Sequence, residues 1–253
     1  MDHPHPSSGG LMTIQIYPDL EALGRAAAEL FASRARDAVQ THGRFVVALA
    51  GGNTPKGAYE LLNGPPFHEQ VPWEKVHVFF GDERCVPPND PRSNQRMARR
   101  ALLDRVPLPP GQVHPIPCDA PPGKAAEQYE TLLRDFFTGA SPRFDLVFLG
   151  MGEDGHTASL FPGATALEER DRWTTWVCPP AQELCRVTLT TPIINQTAVA
   201  AFLVSGEGKA PTLRDVLEGP NDPRKLPAQL IQPSDGELIW LVDESAASQL
   251  RIS

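Results

Sequence analysis

Short, nearly continuous apolar runs recur along this chain, separated by segments with helical spacing. That alternation restricts the fold more than any other feature of the sequence. Ile14 to Tyr17 reads as a brief strand, and Leu20 to Val39 follows with helical periodicity and many alanines. Phe45 to Leu49 is a continuous apolar strand that runs out into Gly51-Gly52. Pro55 then occupies a position tolerated in a first helical turn, ahead of a short helix through Tyr59, Leu61 and Leu62. Val76 to Phe80 is a third strand, followed by the loop GDERCVPPNDPRSN and a helix over Gln95 to Leu103. Residues 106–123 are proline-rich and read as loop, with one short strand at Val113 to Ile116, and Lys124 to Phe137 is helical. Leu146 to Leu149 is a buried strand. Further strands fall near Trp176, Val187 to Leu189, Ala200 to Val204 and Leu238 to Val242, with helices at Ala210 to Leu217 and Glu244 to Leu250. Strands that are apolar on both faces belong to a largely parallel sheet covered by helices on both sides, an α/β fold. With no internal repeat and no dividing linker, the chain is expected to form one domain over 12–253 after a disordered tail, 1–11.

Charge narrows the partners. A net charge of -8 leaves no basic stripe for a nucleic acid, so no such partner is expected. It also repels anionic metabolites at long range. A phosphorylated ligand would therefore need a local cluster of Arg, Lys and backbone N–H groups. The four cysteines, Cys85, Cys118, Cys178 and Cys185, contain no C-x-x-C pair, so neither a metal nor a cofactor is expected; their number leaves disulfides open. The opening MDHPHPSSGG lacks the basic and apolar runs of a signal peptide. No apolar stretch approaches the ~20 residues of a membrane span. A cytoplasmic monomer is the expectation.

In a parallel α/β sheet, ligands gather at the carboxyl ends of strands, and four unusual segments lie there. The first is AGGNTPKGAYELL, where glycines and a helix start offer unpaired N–H groups to an anion, with Asn53 or Thr54 as candidate cap. It lacks P-loop spacing, and a simple capped helix after a tight turn has the same composition. The second is GDER, Gly81 to Arg84, three charges at a strand exit that also suit a surface ion-pair cluster. The third is Gly150-Met-Gly-Glu-Asp-Gly-His156, whose glycines match the dinucleotide pattern G-x-G-x-x-G. The context opposes that reading: Pro162-Gly163 breaks the chain a few residues later, and no acidic residue ends a second strand at the required distance. There remains Asp154-Gly155-His156, a carboxylate near an imidazole, which is how a general base is supported. The fourth comprises Arg186, opening RVTLT, and Lys209, in VSGEGKAPTL. Each alone has the composition of a solvated cation; together with Gly51 and Gly52 they meet the requirement for phosphate.

These segments, in this order, resemble the 6-phosphogluconolactonase family, relatives of the glucosamine-6-phosphate deaminases. AGGNTP, VFFGDER with VPPNDPRSN, FLGMGEDGHTASLFPG, RVTLTTPIIN and FLVSGEGKAPTL carry the likeness, from Phe45 to about Leu217. The resemblance implies a three-layer αβα fold shared with those deaminases, ribose-5-phosphate isomerase and CoA transferases. It implies hydrolysis of a small sugar-phosphate lactone, 6-phospho-D-glucono-1,5-lactone, within the oxidative pentose phosphate pathway. By the same resemblance the base falls on His156 with Asp154 beside it. Phosphate falls on Gly51, Gly52, Asn53, Thr54, Arg186 and Lys209, and the substrate-contacting arginine on Arg84 with Asp82 shaping the pocket. Asn53 stands where many relatives have Ser or Thr, and Cys85 replaces a commoner aromatic residue. In the deaminases a glutamate follows the histidine by five residues; here that position is Phe161, which favours hydrolysis. The alternatives are an isomerase or deaminase of the same fold, and a non-catalytic sugar-phosphate sensor. No G-x-S-x-G elbow points to a covalent serine route.

Overall fold

The continuous apolar runs become the middle of a six-stranded parallel sheet. The computed structural model describes residues 11–139, 142–180 and 183–251, so the expected disordered tail lies, apart from Leu11, outside the described residues. The strands in chain order are β1 (Met12–Tyr17), β2 (Phe45–Leu49), β3 (Val76–Phe80), β4 (Asp82–Arg84), β5 (Leu146–Leu149), β6 (Thr174–Val177), β7 (Arg186–Leu189), β8 (Val199–Val204) and β9 (Glu237–Asp243). The main sheet has the order β1-β9-β8-β5-β2-β3, parallel throughout. Every residue of β2, β5 and β8 is buried, whereas the edge strand β1 is largely exposed. Both faces of the inner strands must therefore be covered by helices.

The covering helices are α1 (Leu20–His42), α2 (Asn53–Leu62), α3 (Phe67–Gln70), α4 (Asn94–Ala98), α5 (Pro122–Phe136), α6 (Thr191–Ile194), α7 (Ala210–Glu218) and α8 (Glu244–Ala247). α1 starts where the Asp19 carboxylate accepts the Ala22 N–H at 2.8 Å and stops at Gly43 in the left-handed region. Its buried stripe, Leu23, Ala27, Phe31, Ala35 and Ala38, repeats at helical spacing and consists mostly of small residues, so the helix lies close to the sheet. α4 runs on into a π-helical turn over Arg99–Leu103, so the helix read at Gln95 to Leu103 is present but not uniform.

Three expectations need correction. The strand read at Val113 to Ile116 is a single bridge, Val78 to Val113, with the His114 N–H on the Val78 carbonyl at 2.8 Å. Pro115 and Pro117 have no N–H with which to extend it. GDER is not a loop: Asp82–Arg84 pairs antiparallel with β7, which pairs with β6, in a separate three-stranded sheet. The last helix spans only Glu244–Ala247, capped by Asp243, whose carboxylate accepts the Ala246 N–H at 2.7 Å.

Two buried tyrosines hold the strand ends that face the site. Beyond β2, the Ala50 N–H donates to the Tyr59 hydroxyl at 3.0 Å, and that hydroxyl donates back to the Ala50 carbonyl at 3.0 Å. Tyr129 does the same for the N–H and carbonyl of Phe80, which closes β3, again at 3.0 Å each. Burial pushes both phenols well above the ordinary tyrosine range, so they remain donors. Each hydroxyl satisfies a backbone donor and acceptor that would otherwise be orphaned in the core. Tyr59→Phe and Tyr129→Phe should therefore each lower unfolding stability by about 1–3 kcal/mol in urea titrations. Losses below about 0.5 kcal/mol would mean that water or rearranged backbone takes over these bonds.

Candidate active site

The chain crosses from β3 back to β5, between β2 and β8, so successive crossovers diverge on either side of the β2–β5 pair. Such a switch leaves a crevice at the carboxyl ends of the strands. A cavity of about 210 Å³ lies there, bounded by the exits of β2, β3 and β5 and by the turn after β8. Gly51, Gly52, Asp82, Arg84, His156, Arg186 and Lys209 all line it. Asn53, Thr54 and Asp154 do not.

At the β2 exit, Gly52 is the residue before α2, and no side chain caps the helix. The expected caps need correction: Asn53 and Thr54 already lie inside the first turn of α2, and neither side chain makes a capping hydrogen bond. The Thr54 hydroxyl instead meets the Ser205 hydroxyl at 2.7 Å, tying this loop to the exit of β8. The α2 start thus keeps its N–H groups and dipole directed at the cavity side. A side chain at Gly51 would overlap the amide of Asn94.

Asn94 belongs to a buried network around Asp82. It donates from Nδ2 to the Asp82 carboxylate and to the Asp82 carbonyl, each at 3.0 Å. Ser159 donates its hydroxyl to the other carboxylate oxygen at 2.6 Å. The Arg186 guanidinium lies 3.8 Å from the same oxygen. Next to Asp82, the Glu83 carboxylate is 3% exposed and accepts the N–H groups of Arg84, Asn94 and Gln95 and the Ser93 hydroxyl. Burial raises its pKa despite those four donors. Together the two carboxylates fasten β4, the start of α4 and the loop after β5.

Arg84 and Arg186 stand directly opposite each other on β4 and β7. Like charges at such a pair repel. Burial pulls the Arg186 pKa down, Asp82 raises it and Arg84 lowers it again. Arg84 is anchored through Nη1 on the Arg92 carbonyl at 2.5 Å. Arg186 lies over the Phe161 ring, 5.4 Å from its centroid.

The β5 loop is folded on itself, with the Gly152 N–H on the His156 carbonyl at 2.8 Å and no helix directly after it. A dinucleotide-binding motif would need that helix. A side chain at Gly152 would collide with the imidazole and with Asp154, so both pack closely against the loop backbone there. Asp154 Oδ1 is 2.5 Å from His156 Nδ1 and also accepts the His156 N–H at 3.2 Å. Partial burial pushes the Asp154 pKa up, but the hydrogen bond and charge of His156 outweigh it and hold the carboxyl below its ordinary range. Phe161 packs on the imidazole at 4.5 Å between centroids. With Nδ1 held by the carboxylate, Nε2 is the nitrogen left to exchange a proton in the cavity. Asp154 sits behind the ring, in a second cleft shared with Phe161, Trp176 and Cys178.

Sequence reasoning missed Asn94, Ser159 and the packing role of Phe161. Asn94 and Ser159 carry no local signal, since each works through Asp82 from a distant segment. Among the described residues, no group of three His, Cys, Asp or Glu could hold a metal ion, and no helix is long and apolar enough to cross a membrane.

Comparison with known proteins agrees with this geometry. Residues 18–240 match the family model described as glucosamine-6-phosphate isomerases/6-phosphogluconolactonase. A 6-phosphogluconolactonase from a Synechocystis species is 46% identical over 223 residues, 87% of this chain and 90% of that protein. One from a Nostoc species is 41% identical over 244 residues, 95% of this chain and 99% of its own. The solved 6-phosphogluconolactonase of Trypanosoma brucei superposes with a TM-score of 0.85 at 28% identity, covering 96% of this chain and all of that one. The chain belongs to the glucosamine-6-phosphate isomerase/6-phosphogluconolactonase family.

Proposed function

We propose that this chain hydrolyses 6-phospho-D-glucono-1,5-lactone to 6-phosphogluconate, with water activated by His156. The observation that carries the reading is that one cavity is lined by three cations, Arg84, Arg186 and Lys209, together with the Asp154-supported imidazole of His156. The repulsion between the cross-strand neighbours Arg84 and Arg186, already moderated by Asp82 at 3.8 Å from Arg186, favours a further anion. A phosphate dianion relieves that repulsion with charge-assisted hydrogen bonds. The uncapped start of α2 adds N–H groups for the same anion.

Opening the lactone requires water to attack C1, a negative charge to build on the carbonyl oxygen, and the ring oxygen to leave. His156 Nε2 takes the proton from the attacking water and returns it to the departing ring oxygen. Asp154 holds the tautomer through Nδ1 and stabilises the imidazolium formed midway. Backbone N–H groups or a nearby cation stabilise the oxyanion. Phe161 favours hydrolysis over isomerisation or deamination on the same fold. An apolar ring there packs between His156 and Arg186, where it supplies no acid or base for moving a proton between carbons.

The assignments are separable by mutation. Lys209→Ala and Arg186→Ala should weaken use of the phosphorylated lactone by about 1.5–3 kcal/mol in kcat/KM while barely changing residual use of unphosphorylated gluconolactone. Lys209→Ala is the cleaner variant, since Arg186 also neighbours buried Asp82. Equal losses on both substrates would show that the residues act structurally.

His156→Ala should reduce kcat roughly 10²–10⁴-fold with little change in KM. A near-normal kcat in His156→Ala would refute the mechanism. Binding of the phosphosugar without turnover by the wild type would favour the sensor.

A further inference from the structure

The four cysteines, drawn from three separate stretches of the sequence, collect beside the small antiparallel sheet. Cys178 and Cys185 are joined in a disulfide just beyond the Val177–Arg186 pair, stapling the β6 and β7 ends together. Cys85 follows β4, and its N–H donates to the Cys185 carbonyl at 2.9 Å. Cys118 arrives from the proline-rich segment, and its thiol donates to the Cys85 sulfur at 3.9 Å. Both are free thiols of intermediate exposure, within reach of small solutes. Each opposed arginine has a cysteine as its chain neighbour, Arg84 with Cys85 and Arg186 with Cys185. One half of this cysteine cluster is oxidised and the other half is a dithiol already in contact.

We propose that Cys85 and Cys118 form a redox-modification site, closed to a disulfide by hydroperoxides, and that closure displaces Arg84 and weakens binding of the phosphorylated substrate. The binding consequence rests on the lactonase reading above; the thiol chemistry does not.

Cys85 is the attacking sulfur. The hydrogen bond from Cys118 lowers its pKa, against opposing contributions from burial and the nearby Glu83 carboxylate. Donating that bond, together with burial, pushes the Cys118 thiol up. The Cys85 thiolate attacks one oxygen of hydrogen peroxide and the O–O bond breaks. The departing hydroxide takes the proton that Cys85 released, giving water and a sulfenic acid. The Cys118 sulfur then attacks the Cys85 sulfur, and its proton leaves with the hydroxyl as a second water. Two thiols lose two electrons and the peroxide gains them.

Closure has a geometric consequence. Bonded sulfurs sit about 2.05 Å apart, so these two must approach by roughly 1.9 Å from their present 3.9 Å. Cys118 lies just after Pro115 and Pro117, with its own N–H turned back on the Ile116 carbonyl. With the Cys85 N–H likewise held on the Cys185 carbonyl, closure puts tension on both backbones, including the end of β4. Arg84 shares a peptide bond with Cys85, and its side chain reaches the cavity from that same short strand.

The test treats the full-length protein with stoichiometric hydrogen peroxide, followed by disulfide mapping of peptides and by KM for the phosphorylated lactone. The expected result is a Cys85–Cys118 linkage beside an intact Cys178–Cys185 linkage, and a KM raised by up to roughly tenfold, the size of one weakened charge-assisted contact. A thiol reductant should restore the KM. Cys118→Ser, with folding checked by circular dichroism, should stop at a Cys85 sulfenic acid trapped by a 1,3-dione probe, and Cys85→Ser should give neither product. Failure of the two sulfurs to link, or linkage of Cys85 to Cys178 or Cys185, would overturn the site. A closed Cys85–Cys118 bond with unchanged KM would overturn the control of Arg84. Absence of lactone turnover before oxidation would count against the lactonase reading alone.

Discussion

The carboxylate of Asp82 is buried in the core-facing end of β4, where an uncompensated charge would cost several kcal/mol. Its compensation dictates much of the cavity. Ser159 must bring the loop after β5, Asn94 must bring the start of α4, and Arg186 must lean in from β7. Three segments distant in sequence are thereby held at fixed distances from the exits of β2 and β3. Asn94 in turn leaves room for no side chain at Gly51, which keeps the β2 turn narrow. Removing one donor would leave part of that buried charge unsatisfied, so the surrounding loops are expected to move together.

In the proposed reading, grip and chemistry around this buried carboxylate fall to different elements. The opposed arginines come from the small sheet, and Lys209 from the turn after β8. The imidazole comes from the loop after β5, with Asp154 behind it. Asp243 steadies the β8 side by accepting the Gly206 N–H at 3.0 Å while capping α8. Under that proposal, separation of this kind would let phosphate binding energy orient the lactone without crowding the attacking water. It also leaves the small sheet, with its cysteines, as a place where binding can be altered while the imidazole stays untouched.

The parallel core was legible because β2, β5 and β8 are buried on both faces and so read as unbroken apolar runs. The positions of His156 and Lys209 beyond the exits of β5 and β8 followed from the same pattern, whereas Arg84 lies within β4 and Arg186 opens β7. The small sheet was not legible: β4 has three charged residues, and only its pairing partner makes it a strand. Capping at α2 was misread because Asn53 and Thr54 have the right chemistry one and two residues too late. Asn94 and Ser159 act through a third residue, and pairing of that type leaves no periodicity or spacing in a single sequence. Convergence of the cysteines likewise depends on β4 meeting β7, a contact between segments about 100 residues apart.

The central claim is that one end of this cavity grips phosphate while His156 faces the carbonyl carbon. A crystal structure with the product 6-phosphogluconate bound tests it most directly. The account predicts phosphate oxygens within hydrogen-bond distance of Arg186 and Lys209, and the C1 carboxylate beside His156 Nε2 with Asp154 still on Nδ1. A product bound in the reverse sense, with its phosphate against His156, would contradict it.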